Sequence, residues 1–108
     1  MTETEYKLAL MIKERISKIV KILDIKVFGS RAIGTSDNYS DMDIFIEVEF
    51  LNSEIKDKIR EIIWEISVEY STYISPLILT KDEVTNSPLR ASPILENIEK
   101  EGIKIWMK

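Results

Sequence analysis

From Asp41 to Glu49 the chain alternates without a break. Met42, Ile44, Ile46 and Val48 fall on one side, and Asp41, Asp43, Phe45, Glu47 and Glu49 on the other. A period of two is the mark of a β-strand, because successive side chains leave opposite faces. This strand must hold four aliphatic side chains in a core and carry acids on its other face. It cannot do that alone. The rest of the chain has to supply neighbouring strands and a layer that covers the aliphatic side.

Helical spacing supplies the layer. Thr2 with Glu5 makes a capping-box pair, and Leu8, Met11, Ile12, Ile16, Ile19, Val20 and Leu23 recur at the interval of one helix face. A first helix over Glu3 to Leu23 is predicted, then a short strand at Ile25 to Phe28. Arg31 to Gly34 fits one or two helical turns, and Thr35 to Ser40 is a polar loop. After the alternating strand, Asn52 or Ser53 can cap a helix reaching about Tyr70, with Ile55, Ile59, Ile62, Ile63 and Ile66 as its buried stripe. Thr72 to Leu79 reads as a strand, and Pro76 within it points to a sheet edge. Thr80 with Glu83 caps a short helix that stops before Ser87-Pro88. Ser92 and Pro93 open a last helix, closed by Gly102, and Ile103 to Trp106 form a final short strand. The order is layered α/β (α+β): a small mixed sheet with helices packed on one face. The other face is partly open and carries Asp41 and Asp43. The 108 residues suit a single domain spanning 1–108.

Composition narrows the chemistry. Histidine and cysteine are both absent. That removes disulfides, thiol catalysis, the usual zinc sites and the commonest general base at neutral pH. A bound metal would have to be a hard cation held by oxygen, magnesium or manganese. The net charge of −4 gives no long-range attraction for nucleic acid. No apolar run approaches a membrane span, and the acidic start Met1-Thr2-Glu3-Thr4-Glu5 lacks the layout of a secretion signal, so a cytoplasmic location is expected.

Within this frame one array bears on chemistry. Gly29-Ser30 is followed by ten residues and then Asp41-Met42-Asp43. Nucleotidyl transfer needs a gripped triphosphate, neutralised charge and an acceptor oxygen aligned with the α-phosphorus. Gly29 lets the backbone approach a phosphate, a helical turn starting at Ser30 or Arg31 would aim free N–H groups at it, and Ser30 adds a hydroxyl. Arg31 can add a charged fork or face solvent. Asp41 and Asp43 leave one face of a strand roughly 7 Å apart, at about 3.3 Å per residue. They repel each other unless a divalent cation lies between them. Ser40 has a turn or capping role as its other reading. Glu47 shares the face of the aspartates and reads as a solvated residue. Trp64 and Trp106 read as core or interface packing, and Tyr39 as loop packing.

At these residues the chain resembles the minimal nucleotidyltransferases (MNT), the small members of the DNA polymerase beta-like nucleotidyltransferase superfamily. Their signature is Gly-Ser, ten residues, then Asp-x-Asp; Gly29, Ser30, Asp41 and Asp43 meet it without a gap, and Ala32, Gly34, Ser40 and Ile44 match its surroundings. The resemblance implies a magnesium site on Asp41 and Asp43 as metal-binding and catalytic residues. Gly29, Ser30, Arg31 and Ser40 lie on its phosphate-binding side, and ATP is its substrate. It also implies an antitoxin of a HEPN/MNT toxin–antitoxin pair, which transfers AMP to a tyrosine of a HEPN-domain ribonuclease toxin. The expected assembly is a hetero-oligomer or a homodimer, and from the charge and hydropathy above no direct nucleic-acid or membrane partner is expected. Larger relatives carry a third carboxylate on the following strand. Residues 71–80 contain no acid, and Tyr73 or Ser75 stands in that place. Two other readings follow from the residues: a binding module that masks its toxin without catalysis, and transfer to a small molecule or RNA with a second subunit.

Overall fold

A computed structural model describes residues 2–29 and 41–105. Helix α1 (Glu3–Ser17) leads to strand β1 (Ile22–Phe28); strand β2 (Met42–Val48) is followed by helix α2 (Ser53–Glu69) and strand β3 (Ile74–Thr80). Helix α3 (Lys81–Asn86), a 3-10 turn (Pro88–Ala91), helix α4 (Pro93–Glu101) and strand β4 (Ile103–Lys104) complete the chain. The four strands form one mixed sheet in the order β3-β2-β1-β4. β1 pairs antiparallel with β2 and with β4, and β2 pairs parallel with β3. The parallel pair is what α2 makes possible, since a crossover must carry the chain back to the same end of the sheet. No helix among the described residues is long and apolar enough to cross a membrane.

The predicted caps are present. Thr2 and Glu5 form a reciprocal capping box, as do Thr80 and Glu83, and Asn52 Oδ1 accepts from the Ile55 N–H at 2.8 Å. Ser92 caps α4 with Pro93 at its first turn, and Gly102 ends it.

The alternation of β2 divides the molecule into two layers. Met42, Ile44, Ile46 and Val48 are fully buried beneath α1 and α2, against Leu8, Ile12 and Ile16 of the one and Ile59, Ile63 and Ile66 of the other. Ile55 and Ile62 only border this core. On the opposite face Phe45, 4% exposed, joins Phe28, Leu79 and Ile98 in a smaller cluster backed by Val84 and Leu95. α3 and α4 therefore cover part of the face that the pattern leaves partly open. Asp43 keeps access to solvent beyond their reach.

The largest boundary differences from the sequence reading lie between α1 and β1, and β3 begins at Ile74 rather than Thr72. α1 ends at Ser17 and does not run to Leu23, and β1 begins at Ile22 rather than Ile25. β1 also carries a bulge. The register passes from Ile22↔Val48 to Asp24↔Glu47, leaving Leu23 without a partner of its own. Ile22 and Ile25 then both reach the main core, and the period of two is lost over those residues. The predicted turn at Arg31–Gly34, the loop Thr35–Ser40, Tyr39 and Trp106 lie outside the described residues.

Candidate active site

β1 ends where the bend begins. Gly29 adopts φ +75°, the left-handed region that glycine tolerates and a side chain resists. A methyl group at Gly29 would stand 2.5 Å from Asp43 Oδ2. The missing side chain is therefore what lets this backbone lie against the carboxylate. The register explains the meeting, since Phe28 is paired with Asp43 across β1 and β2.

Asp41 is exposed just ahead of β2, and Asp43 is half-buried one residue into it. Burial raises the pKa of the Asp43 carboxyl above its ordinary value, and the charge of Asp41 raises it further. Two acids in that relation are an unfavourable pairing for a bare protein. A divalent cation would reverse it, and magnesium commonly takes one or two protein carboxylates and completes its shell with phosphate oxygens and water. Among the described residues no group of three or more metal-ligating side chains occurs. The pair, with the side-chain-free cradle of Gly29 beside it, fits such an ion together with a phosphate-bearing ligand. Ser30, Arg31 and Ser40 lie outside the described residues.

The third strand is placed by the parallel register. Asp43 is level with Ser75, and the Met42 N–H donates to the Tyr73 carbonyl at 2.8 Å. Ser75 thus occupies the sheet position beside Asp43, and no carboxylate replaces it. Glu47 lies on the same face but in other company. It is level with Asp24 across β1. Burial pushes its carboxyl pKa upward, Asp24 adds to this, and Lys81 and Lys26 partly offset it. Lys26 stands 3.5 Å and Lys104 3.9 Å from Asp24. Asp24, Lys26 and Glu47 border a cleft of about 470 Å³ that Arg90 and Leu95 also line. The sequence reading did not foresee this cluster; its signal was the Asp24-x-Lys26 spacing on the face that also holds Glu47.

Trp64 is 66% exposed, so the core alternative for it falls. Its helical phase shows why. Ile59, Ile63 and Ile66 are buried, and Trp64 and Val68 lie to one side of that stripe.

A sequence profile described as "Nucleotidyltransferase domain" matches residues 10–105. The protein adenylyltransferase candidate MJ0141 of Methanocaldococcus jannaschii is 27% identical over 104 residues, covering 95% of this chain and 92% of that one. Among solved structures, a toxin–antitoxin bound to AMP-PNP superposes with a TM-score of 0.59 at 17% identity, over 92% of this chain and 73% of that chain. A tri-AMPylated Shewanella oneidensis HEPN toxin in complex with its MNT antitoxin gives a TM-score of 0.58 at 15% identity, over 100% of this chain and 74% of the other. At such identities these two likenesses speak for the fold.

Proposed function

The chain belongs to the nucleotidyltransferase domain family, and from that premise we propose that it is a magnesium-dependent adenylyltransferase that acts as an antitoxin, moving AMP from ATP to a tyrosine of a HEPN-domain toxin in the cytoplasm. The observation that carries this reading is the bend at Gly29 lying against Asp43, with the charge of Asp41 alongside. The relatives lend the acceptor class: one is a candidate protein adenylyltransferase, and one neighbour is a complex with an AMPylated HEPN toxin.

In this reading Asp41 and Asp43 hold the metal, and Gly29, Ser30, Arg31 and Ser40 form the phosphate side. The bound cation supplies charge neutralisation on the triphosphate. Gly29 gives the phosphates room to approach the backbone, and Asp43 is held in place by the β1–β2 ladder. The acceptor oxygen attacks the α-phosphorus, an O–P bond forms, and pyrophosphate leaves. Ser75 beside Asp43 is no base at neutral pH; in this reading the acceptor's proton passes to water or to a group the acceptor brings. A phenol, with a pKa near 10, asks less of a base than an aliphatic alcohol does. A tyrosine acceptor suits a site built this way.

The test is transfer of labelled AMP from ATP to the protein encoded by the adjacent reading frame. Asp41→Asn with Asp43→Asn should abolish labelling of that protein. The serine level with Asp43 favours one rival, an antitoxin that masks its partner without catalysis. If the double variant protects cells as fully as the wild-type chain, masking is the function.

A further inference from the structure

On the helical side of β3 lies a groove of about 600 Å³, between one flank of α2 and the outer strand. Sites for small molecules commonly hold roughly 300–1,000 Å³ and are mostly apolar, with a few placed polar groups. Here Trp64 and Val68 form one wall, Ile74 and Pro76 the other. Both Trp64 and Val68 are more than half exposed, and large apolar side chains clustered in this way mark a contact surface more often than scattered ones do. Ile63 of the main core also lines the groove, so it opens on the face of the sheet away from Asp43 and is separate from the candidate active site.

The polar groups in the lining say what fits. Among the described residues Arg60 is the one charged residue there; Glu61, Glu65 and Glu69 of α2 are not part of it. No ion pair holds the Arg60 guanidinium among those residues. Three hydroxyls join it. Ser67 Oγ donates to the Ile63 carbonyl at 2.8 Å, and Thr72 Oγ1 to the Tyr70 carbonyl at 3.1 Å, so the backbone takes both protons. Ser71 Oγ makes no such bond among the described residues.

Ser71 is also the unusual residue of its turn. Past α2 the Ser71 N–H donates to the Val68 carbonyl at 3.3 Å and the Thr72 N–H to the Ser67 carbonyl at 3.0 Å, the two bonds of a Schellman ending. That ending sets Ser71 at φ +51°, a place glycine usually takes. Serine accepts the left-handed backbone there and gains no side-chain bond within the fold. What it adds is a free hydroxyl at one end of the groove. Arg60, Trp64, Val68 and Ser71 follow one line along α2 and its ending, which sets cation and hydroxyl roughly 16 Å apart at 1.5 Å per residue. An added strand is a poor occupant. The Tyr73 carbonyl faces β2, so by alternation Pro76 turns to the free edge, where it has no N–H to offer.

We propose that this groove binds an elongated amphipathic carboxylate, with its acid group at Arg60, an apolar body along Trp64 and Val68, and an oxygen at its far end by Ser71. An arginine without a partner suits a carboxylate, which it can hold through two parallel N–H donors. The site goes beyond the adenylyltransferase reading and does not depend on it.

Three probes of one chain length and different ends test it: ω-hydroxydecanoate, decanoate and decylammonium, each kept below the concentration at which it forms micelles. They are titrated, without nucleotide, into the Trp106→Phe chain, in which Trp64 is the sole tryptophan. A saturable blue shift of Trp64 emission is expected with both carboxylates, and decylammonium should bind at least roughly tenfold more weakly. Arg60→Gln should bring the carboxylates down to the level of the amine, and Arg60→Lys should keep part of the preference. Ser71→Gly should melt above wild type and yet lose the advantage of the hydroxylated chain over decanoate. Titration calorimetry on the wild-type chain repeats the ranking without the Trp106 substitution, and circular dichroism checks the fold of each variant. Equal binding of acid and amine, no saturable response, or a dimer of the chain alone that already shields Trp64 overturns the proposal. A Ser71→Gly chain that melts no higher and still prefers the hydroxylated probe overturns the role given to Ser71. A failure of magnesium–ATP uptake by the wild-type chain counts against the adenylyltransferase reading, and these titrations stand apart from it.

Discussion

Gly29 and Asp43 are coupled by contact, and the coupling can be measured. A left-handed backbone costs a non-glycine residue about 1–2 kcal/mol, and at Gly29 the added methyl group also meets Asp43 Oδ2 at 2.5 Å. Gly29→Ala should lower Tm by about 4–8 °C for each kcal/mol lost, as read by thermal melting. The loss should be smaller when Asp43→Ala is also present, since the obstructed group is then gone. Glu47 makes a prediction of opposite sign. Its folded carboxyl keeps a proton to higher pH than its ordinary value of 4.5. The stability this contributes is complete below that ordinary value and is lost as pH rises through the raised one. At neutral pH the ionised group therefore weighs against the fold. Glu47→Gln should melt above wild type at neutral pH, and the difference should close as pH falls below the carboxylate range. If the gap widens on acidification, the description of that cluster is wrong. The meeting of bend and aspartate was legible in the Gly29…Asp43 spacing. The company of Glu47 was not, because cross-strand partners depend on a register that a bulge at Leu23 had shifted.

At the scale of elements, α2 shows two faces with different consequences. Ile66 is fully buried in the main core. Ile66→Ala should cost about 2–5 kcal/mol in chemical denaturation, whereas Val68→Ala, two residues on and largely exposed, should leave the midpoint nearly unchanged. The sequence showed α2 well because a polar cap, a clean isoleucine stripe and a strand-forming run after Ser71 all agree on its limits. It showed β1 poorly. Ile19, Val20 and Leu23 continue the spacing of α1, and only pairing of Ile22 with Val48 decides that the segment is a strand. Periodicity of isolated residues cannot register a partner strand that lies twenty-odd positions away. The edge position of β3 was visible for the converse reason, since Pro76 carries its own evidence in a missing donor.

For the molecule as a whole, ligand uptake and stability should move together. A ligand that binds only the folded chain stabilises it by about 2.7 kcal/mol at a hundredfold excess over its Kd. Magnesium–ATP should raise the Tm of the wild-type chain accordingly, removal of the metal with a chelator should reverse the gain, and Asp41→Asn with Asp43→Asn should show none of it. Differential scanning calorimetry at matched protein concentration checks all three. The last strand has a separate consequence. β1 is hydrogen-bonded to β2 on one side and shielded on the other by β4, whose extension is secured where the Ile105 N–H reaches the Ile25 carbonyl at 3.0 Å and Lys13 Nζ donates to the Ile105 carbonyl at 2.9 Å. A chain cut after Gly102 would uncover a ready template along β1, and molecules so shortened would be expected to trade strands and precipitate rather than simply melt earlier.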